Sequence, residues 1–287
     1  MPTLSSSQPT VSIGLPVYNG AKYIKEALDS LLCQSFQDFE IIISDNASDD
    51  NTETIARSYE QRDDRITYIK QTTNIGSANN FLYVLHKAKG KYFMWAAHDD
   101  MWAENWLEVL IKELSPSDIG VRGKIVFFQD KLTLKEKSPP NYKKNDLIKC
   151  FLGNETNYRN HYIYSLFVRE KLLKSDFRSF QLEYCPDQIF IFSLLQIGSL
   201  RTSKDTKHFY RVHNDNFGKT LSKKWKGWKK IVYRIHPLMY YTLYLDYTTD
   251  KKTRLAILLL IPIKHIYAQT IFWLRCFRQI ITRKTVI

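Results

Sequence analysis

Four times within residues 11–114 a short apolar run ends in polar residues and gives way to a segment whose apolar positions recur at helical spacing. The first run, VSIGLPV at 11–17, stops at Tyr18-Asn19-Gly20, and the next segment carries Ile24, Ala27, Leu28, Leu31 and Leu32 along one helix face. The rhythm repeats in FEIIISDNAS before NTETIARSYEQ, in ITYIKQ before SANNFLYVLHKA, and in KYFMWAA before WAENWLEVLIKEL. Strands joined by helices must cross over in one direction, so these units predict an α/β fold with a mainly parallel, Rossmann-like sheet flanked by helices on both faces. EIIIS is apolar without alternation, as expected of a central strand buried on both sides.

Beyond residue 115 the rhythm changes. GKIVFF, HYIYSLFV and TKHFYRVH read as strands, and DQIFIFSLLQIG reads as a helix closing on Gly198. The division expected is a disordered lead-in at 1–10, a domain at 11–220 with halves at 11–114 and 115–220, and a helical, basic and apolar tail at 221–287.

Ligands of open α/β sheets bind beyond the carboxyl ends of the strands, and here those ends are unusually polar: Tyr18 and Asn19, Asp45 and Asn46, Asn74, then His98, Asp99 and Asp100. No GxGxxG follows the first strand and no GxxxxGK[ST] occurs, so phosphate would have to be held through a metal. Each acid also has a plainer reading. Asp99 and Asp100 would cap the following helix, although a capping box would need Glu or Gln where Ala103 stands. Asp45 in SDNASDD would be a turn residue, or a carboxylate accepting the N3–H of a uracil. Asp187 would favour a helix start through the dipole, and His213 would be structural.

Charge adds a second feature. The formal net charge of +13 is not spread evenly: residues 1–200 carry 23 Lys+Arg against 25 Asp+Glu, and residues 201–287 carry 19 against 4. The segment KKWKGWKK sets Lys223, Lys224, Lys226, Lys229 and Lys230 around Trp225 and Trp228, a mixture suited to an anionic membrane surface. Residues 255–274 are mostly apolar, but Pro262, Lys264, His265 and Gln269 interrupt them, which favours a helix in the membrane plane over a span. The alternative is that Leu255, Leu258, Leu259 and Ile263 pack back on the domain. Four dispersed cysteines and an N-terminus without a secretory pattern fit a cytoplasmic protein on the membrane's inner face.

Taken in order, LPVYNGAKYIKEALDSLLCQSF, FEIIISDNASDDNT, NIGSANN, GKYFMWAAHDD and PDQ before LLQIG resemble family 2 of the glycosyltransferases, with the GT-A fold. The resemblance spans about residues 11–215. It implies an inverting transfer from a nucleotide-sugar donor, foremost a UDP-sugar, to a glycan or lipid-linked acceptor in surface polysaccharide or glycolipid synthesis. It also implies Mg²⁺ or Mn²⁺. Carried over by position, Pro16, Tyr18 and Asp45 line the nucleotide, with Asn46 and Asn74 nearby. Asp99 and Asp100 stand at the DxD-type element, Asp99 facing ribose and diphosphate and Asp100 taking the metal, though His98 replaces its commoner first acid. Asp187 occupies the place of the catalytic base, with Pro186 where a Glu is usual, and Arg211 and His213 approach the diphosphate and its metal. Rival expectations are a catalytically silent nucleotide-binding module and, with less support, a nucleic-acid binder; no nucleic-acid partner is expected.

Overall fold

The computed structural model describes residues 8–130, 132–153, 159–182, 186–213 and 237–284. The first half runs β1 (Val11–Val17), α1 (Ile24–Leu32), β2 (Phe39–Asp45), α2 (Thr52–Glu60), β3 (Ile66–Lys70), α3 (Ser77–Lys87), β4 (Tyr92–Trp95), β5 (Met101–Trp102) and α4 (Trp106–Glu113). The second runs β6 (Asp118–Gln129), β7 (Leu132–Lys137), α5 (Leu147–Leu152), β8 (Leu166–Val168), α6 (Arg169–Leu172), α7 (Pro186–Leu194), β9 (Ser199–Arg211), α8 (Pro237–Asp246) and α9 (Lys251–Lys284).

These strands form one nine-stranded sheet in the order β3-β2-β1-β4-β8-β6-β9-β5, with β7 pairing β6 outside that path. β1 pairs β2 and β4 in parallel, and β2 pairs β3 in parallel, as the strand–helix alternation predicts. Every residue of β1 is buried, and α1 sets Ile24, Ala27, Leu28 and Leu31 against the core, which accounts for an unbroken apolar strand beside an amphipathic helix. The other half is mixed: β8 is antiparallel to both β4 and β6, β6 and β9 are parallel, and β5 is antiparallel to β9.

HYIYSLFV is not one strand: a 3₁₀ turn at Arg159–Tyr164 precedes the three-residue β8. The helix expected to reach Gly198 ends at Leu194, and the Gly198 N–H closes the following turn on Leu194 O (3.1 Å). β7 has no counterpart in the sequence expectations. All six of its residues are exposed, so no burial imposed an alternating pattern on it.

The chain divides into two compact units, Met1–Asn145 with Tyr158–Asn214, and Asp146–Asn157 with Asp215–Ile287. The segment containing α5 therefore belongs with α8 and α9. The Lys/Trp cluster at 223–230 lies outside the described residues.

Candidate active site

The turns after β1 and β2 are tied to each other. Asn19 holds a left-handed φ of 52°, the Asn19 N–H donates to Ser48 Oγ (2.9 Å), and the Asp49 N–H donates back to Asn19 Oδ1 (3.1 Å). Gly20 donates to Thr52 Oγ1 (2.8 Å), and a Cβ at this position would meet the Val17 side chain and, at 2.8 Å, the His98 ring. The turn is thereby pressed against the polar end of β4, with Tyr18 46% exposed at its lip. Pro16 is buried within β1, in register with Ser44, and is not at that lip.

Asp45 corrects an expectation. It is fully buried: the Ser48 N–H donates to its Oδ1 (2.8 Å) and the Tyr68 hydroxyl to its Oδ2 (2.6 Å). Burial and this carboxylate push the Tyr68 hydroxyl's pKa up. Asp45 thus fastens the turn and β3, and does not present a free oxygen to a base. Asn46 behaves alike, accepting from Ile75 N–H (2.8 Å) and donating to Asn74 Oδ1 (2.9 Å), while Asn74 itself is exposed. Asp45→Ala should therefore cost about 1–3 kcal/mol through two stranded donors, measured by denaturant unfolding. Unchanged stability with lost uridine-nucleotide affinity would restore the base contact.

The two adjacent acids have different surroundings. Neither caps a helix, because β5 intervenes and α4 begins only at Trp106. Asp99 keeps 18% of its side chain exposed, and its Oδ2 lies 2.8 Å from His213 Nε2, itself 12% exposed. Burial tends to raise the Asp99 pKa, but the His213 hydrogen bond and the neighbouring histidines bring it below its ordinary value. Asp100 is 1% exposed, with Oδ1 accepting from the Arg211 backbone N–H (2.9 Å) and Oδ2 2.8 Å from His208 Nε2.

The Asp100 pairing continues inward. Arg122 Nη2 approaches His208 Nδ1 at 3.3 Å, and because a guanidinium can only donate, Nδ1 accepts and Nε2 carries the proton given to Asp100. Burial keeps His208 neutral, with a pKa well below its ordinary value, and pushes the Arg122 guanidinium down to about 10. Burial and the charge of Asp99 raise the Asp100 pKa. Arg122 also donates to Gly123 O (3.0 Å) and to His161 O, and the His208 ring stacks on Trp102 at 5.4 Å. Asp100 therefore anchors β9 beside β5, and the expected assignment of the metal to Asp100 does not fit a carboxylate so enclosed.

Arg211 braces the exposed member of the pair. Its Nε donates to Asp99 O (2.9 Å) and its Nη2 to Glu26 Oε2 (2.8 Å), with the guanidinium 4.6 Å from the ring centres of both Tyr23 and Phe128. Asp187 lies partly exposed in the first turn of α7, where desolvation, opposed by the Gln188 backbone N–H at 3.0 Å, pushes its carboxyl up to about 6. Tyr164 and Tyr210, both partly exposed, each feel the charges of Asp99, Asp100 and Asp187. Among the described residues no group of three or more His, Cys, Asp or Glu side chains could hold a metal unaided.

The sequence expectations omitted His208, Tyr210, Tyr164 and Arg122. His208 and Tyr210 alternate along KHFYR, a signal that could have been followed into the strand; a buried arginine in β6 has no such signature.

The Glycosyl transferase family 2 model matches residues 12–174, more than half of the chain. An uncharacterized glycosyltransferase of Methanocaldococcus jannaschii is 32% identical over 172 residues, covering 58% of each chain. Another, from Rickettsia typhi, is 46% identical over 111 residues, or 38% of this chain and 33% of that relative. The putative teichuronic acid biosynthesis glycosyltransferase TuaG of Bacillus subtilis is 35% identical over 105 residues, 37% of this chain and 42% of TuaG. The chain thus spans only part of the length of these relatives. In fold it is similar to residues 1–349 of S. aureus TarS in complex with UDP-GlcNAc, with a TM-score of 0.63 at 17% identity, covering 90% of this chain and 73% of that one. The mannosyltransferase PcManGT of Pyrobaculum calidifontis, in complex with GDP-Man and Mn²⁺, gives a TM-score of 0.59 at 17% identity, covering 92% and 73%. The extent of the family match, on a GT-A sheet whose strand ends gather these acids, places the chain in glycosyl transferase family 2.

Proposed function

We propose that the chain transfers a sugar from a nucleotide-sugar donor, foremost a UDP-sugar, to a hydroxyl of a glycan or lipid-linked acceptor with inversion at the anomeric carbon. The observation that carries this reading is the Asp99–His213 pair, partly open beyond the carboxyl end of β4, with Tyr210 feeling the charges of both Asp99 and the raised carboxyl of Asp187. The UDP-GlcNAc bound by TarS and the GDP-Man and Mn²⁺ bound by PcManGT support the donor class, and the name of TuaG supports surface polysaccharide synthesis.

Asp99 and His213 would hold the cation, and their mixed oxygen and nitrogen donors would suit Mn²⁺ better than the strictly oxygen-seeking Mg²⁺. When bound, the cation neutralises charge on the departing nucleoside diphosphate. The chain's own residues do the rest. Arg211, clamped between two rings, fixes the Asp99 carbonyl and so the aim of its carboxylate. Tyr18 offers an exposed ring to the base, and Asn74 is an exposed amide at the end of the neighbouring β3 loop, bonded to Asn46. Asp187 takes the acceptor hydroxyl's proton as its oxygen bonds to the anomeric carbon and the bond from that carbon to the diphosphate oxygen breaks.

A thermal-shift screen of UDP-, GDP- and dTDP-sugars, with Mn²⁺ and with EDTA, tests donor and metal together. A donor at a hundred times its Kd should add about 2.7 kcal/mol of stability. The expected result is a rise in Tm for one nucleotide class that EDTA removes. An equal rise in EDTA would sink the metal assignment, and no response to any donor would sink the function.

A further inference from the structure

The helix α9 has two faces of opposite character. Ile257, Ile261 and Lys264 are buried, Lys264 to 1% exposure. Its ammonium donates to Phe151 O and stands 4.3, 4.9 and 5.5 Å from the ring centres of Phe151, Tyr241 and Tyr244, all within the same unit. On the other face Leu255, Leu258, Leu259, Ile263, Ile266 and Tyr267 are 58, 51, 67, 60, 66 and 47% exposed. Within their own unit the first four of these therefore remain uncovered.

Their spacing makes them one stripe about 18 Å long, at about 1.5 Å of rise per residue. The charge that interrupts the apolar run in the sequence, Lys264, is turned inward and does not interrupt the face. Lys251 and Lys252 stand exposed at its beginning. In sequence the 34 residues of α9 hold eight Lys and Arg and no Asp or Glu. No helix among the described residues is long and apolar enough to cross a membrane.

We propose that this exposed face of α9 docks on an anionic lipid bilayer, with the helix lying in the membrane plane, its leucines and isoleucines entering the acyl boundary and its basic residues among the headgroups. A second copy of the chain would bring its own exposed lysines, Lys251 and Lys252, to the contact as further like charges, whereas anionic headgroups neutralise those already present. The stripe is therefore matched to lipid in both its apolar and its charged parts.

The test is co-sedimentation of the full chain with phosphatidylcholine vesicles, with and without phosphatidylglycerol. The wild-type chain should bind the anionic vesicles more tightly, and added salt should weaken that binding. Leu259→Glu with Ile266→Glu, at two of the most exposed positions, should lower binding by roughly tenfold with Tm unchanged. Lys251→Glu with Lys252→Glu should weaken binding to the anionic vesicles only. Equal binding by the leucine–isoleucine variant would overturn the proposal, as would a dimer in solution that this variant dissociates. The donor screen uses no vesicles, so failure here and failure of the glycosyl-transfer reading are separate results.

Discussion

Asp187→Asn is expected to lower kcat by about 10²–10⁴ while leaving donor-induced stabilisation unchanged, the range a positioned general base contributes. Asn keeps the shape of the side chain and an oxygen to accept from the Gln188 N–H, but it cannot take up a proton. In the wild-type protein the base works ionised, so kcat should rise as pH is raised through about 6 and be lost below it. Stability should move the opposite way. The folded carboxyl titrates near 6, above its ordinary 3.8, so the protein is most stable with Asp187 protonated and loses that contribution as pH rises through 6. At pH 8 the Asn variant should therefore melt higher than wild type, and the gap should close below pH 4. A variant that turns over normally would remove Asp187 from the chemistry. One that is inactive but shows no gain in Tm at pH 8 would remove burial as the cause of the raised pKa.

How far such assignments were legible in the sequence depended on whether their causes were local. VSIGLPV and EIIIS announced themselves because both faces of β1 and β2 are covered, and α1 because only one of its faces is. β5 did not: its two residues form a strand only by pairing with Phe209 and His208, more than a hundred positions away. That pairing also decides the neighbouring acids. Asp45, Asp99 and Asp100 all follow apolar runs and look alike in sequence, yet Tyr68, His213 and His208 give them three different surroundings. Arg122, fully buried, runs against every hydropathy rule and became intelligible only with His208 Nδ1 beside it. In the tail, composition singled out the apolar run at 255–274, but that Lys264 turns inward rests on three rings contributed by α5 and α8.

Adjacent carboxylates should give opposite phenotypes. Asp99→Asn removes a partly exposed charge whose side-chain hydrogen-bond partner among the described residues is His213, so Tm should stay near wild type while Mn²⁺-dependent donor affinity falls at least about tenfold, read by calorimetry. Asp100→Asn leaves an acceptor for the Arg211 N–H but turns an amide N–H or a poorer oxygen toward the His208 Nε2–H, and strands the Arg122 charge behind it. Breaking a buried charged network in this way costs on the order of 3 kcal/mol, a fall in Tm of about 6–12 °C for a chain of this size. His208→Phe keeps a ring against Trp102 but removes the bridge between Asp100 and Arg122, and should lower Tm likewise. If Asp100→Asn instead melted with wild type and lost the Mn²⁺ dependence, Asp100 would be the metal ligand and its enclosure by β9 a property of the donor-free state. If both variants lost stability and neither lost Mn²⁺ dependence, the pair would be scaffold alone and the cation, where one binds, would be held elsewhere.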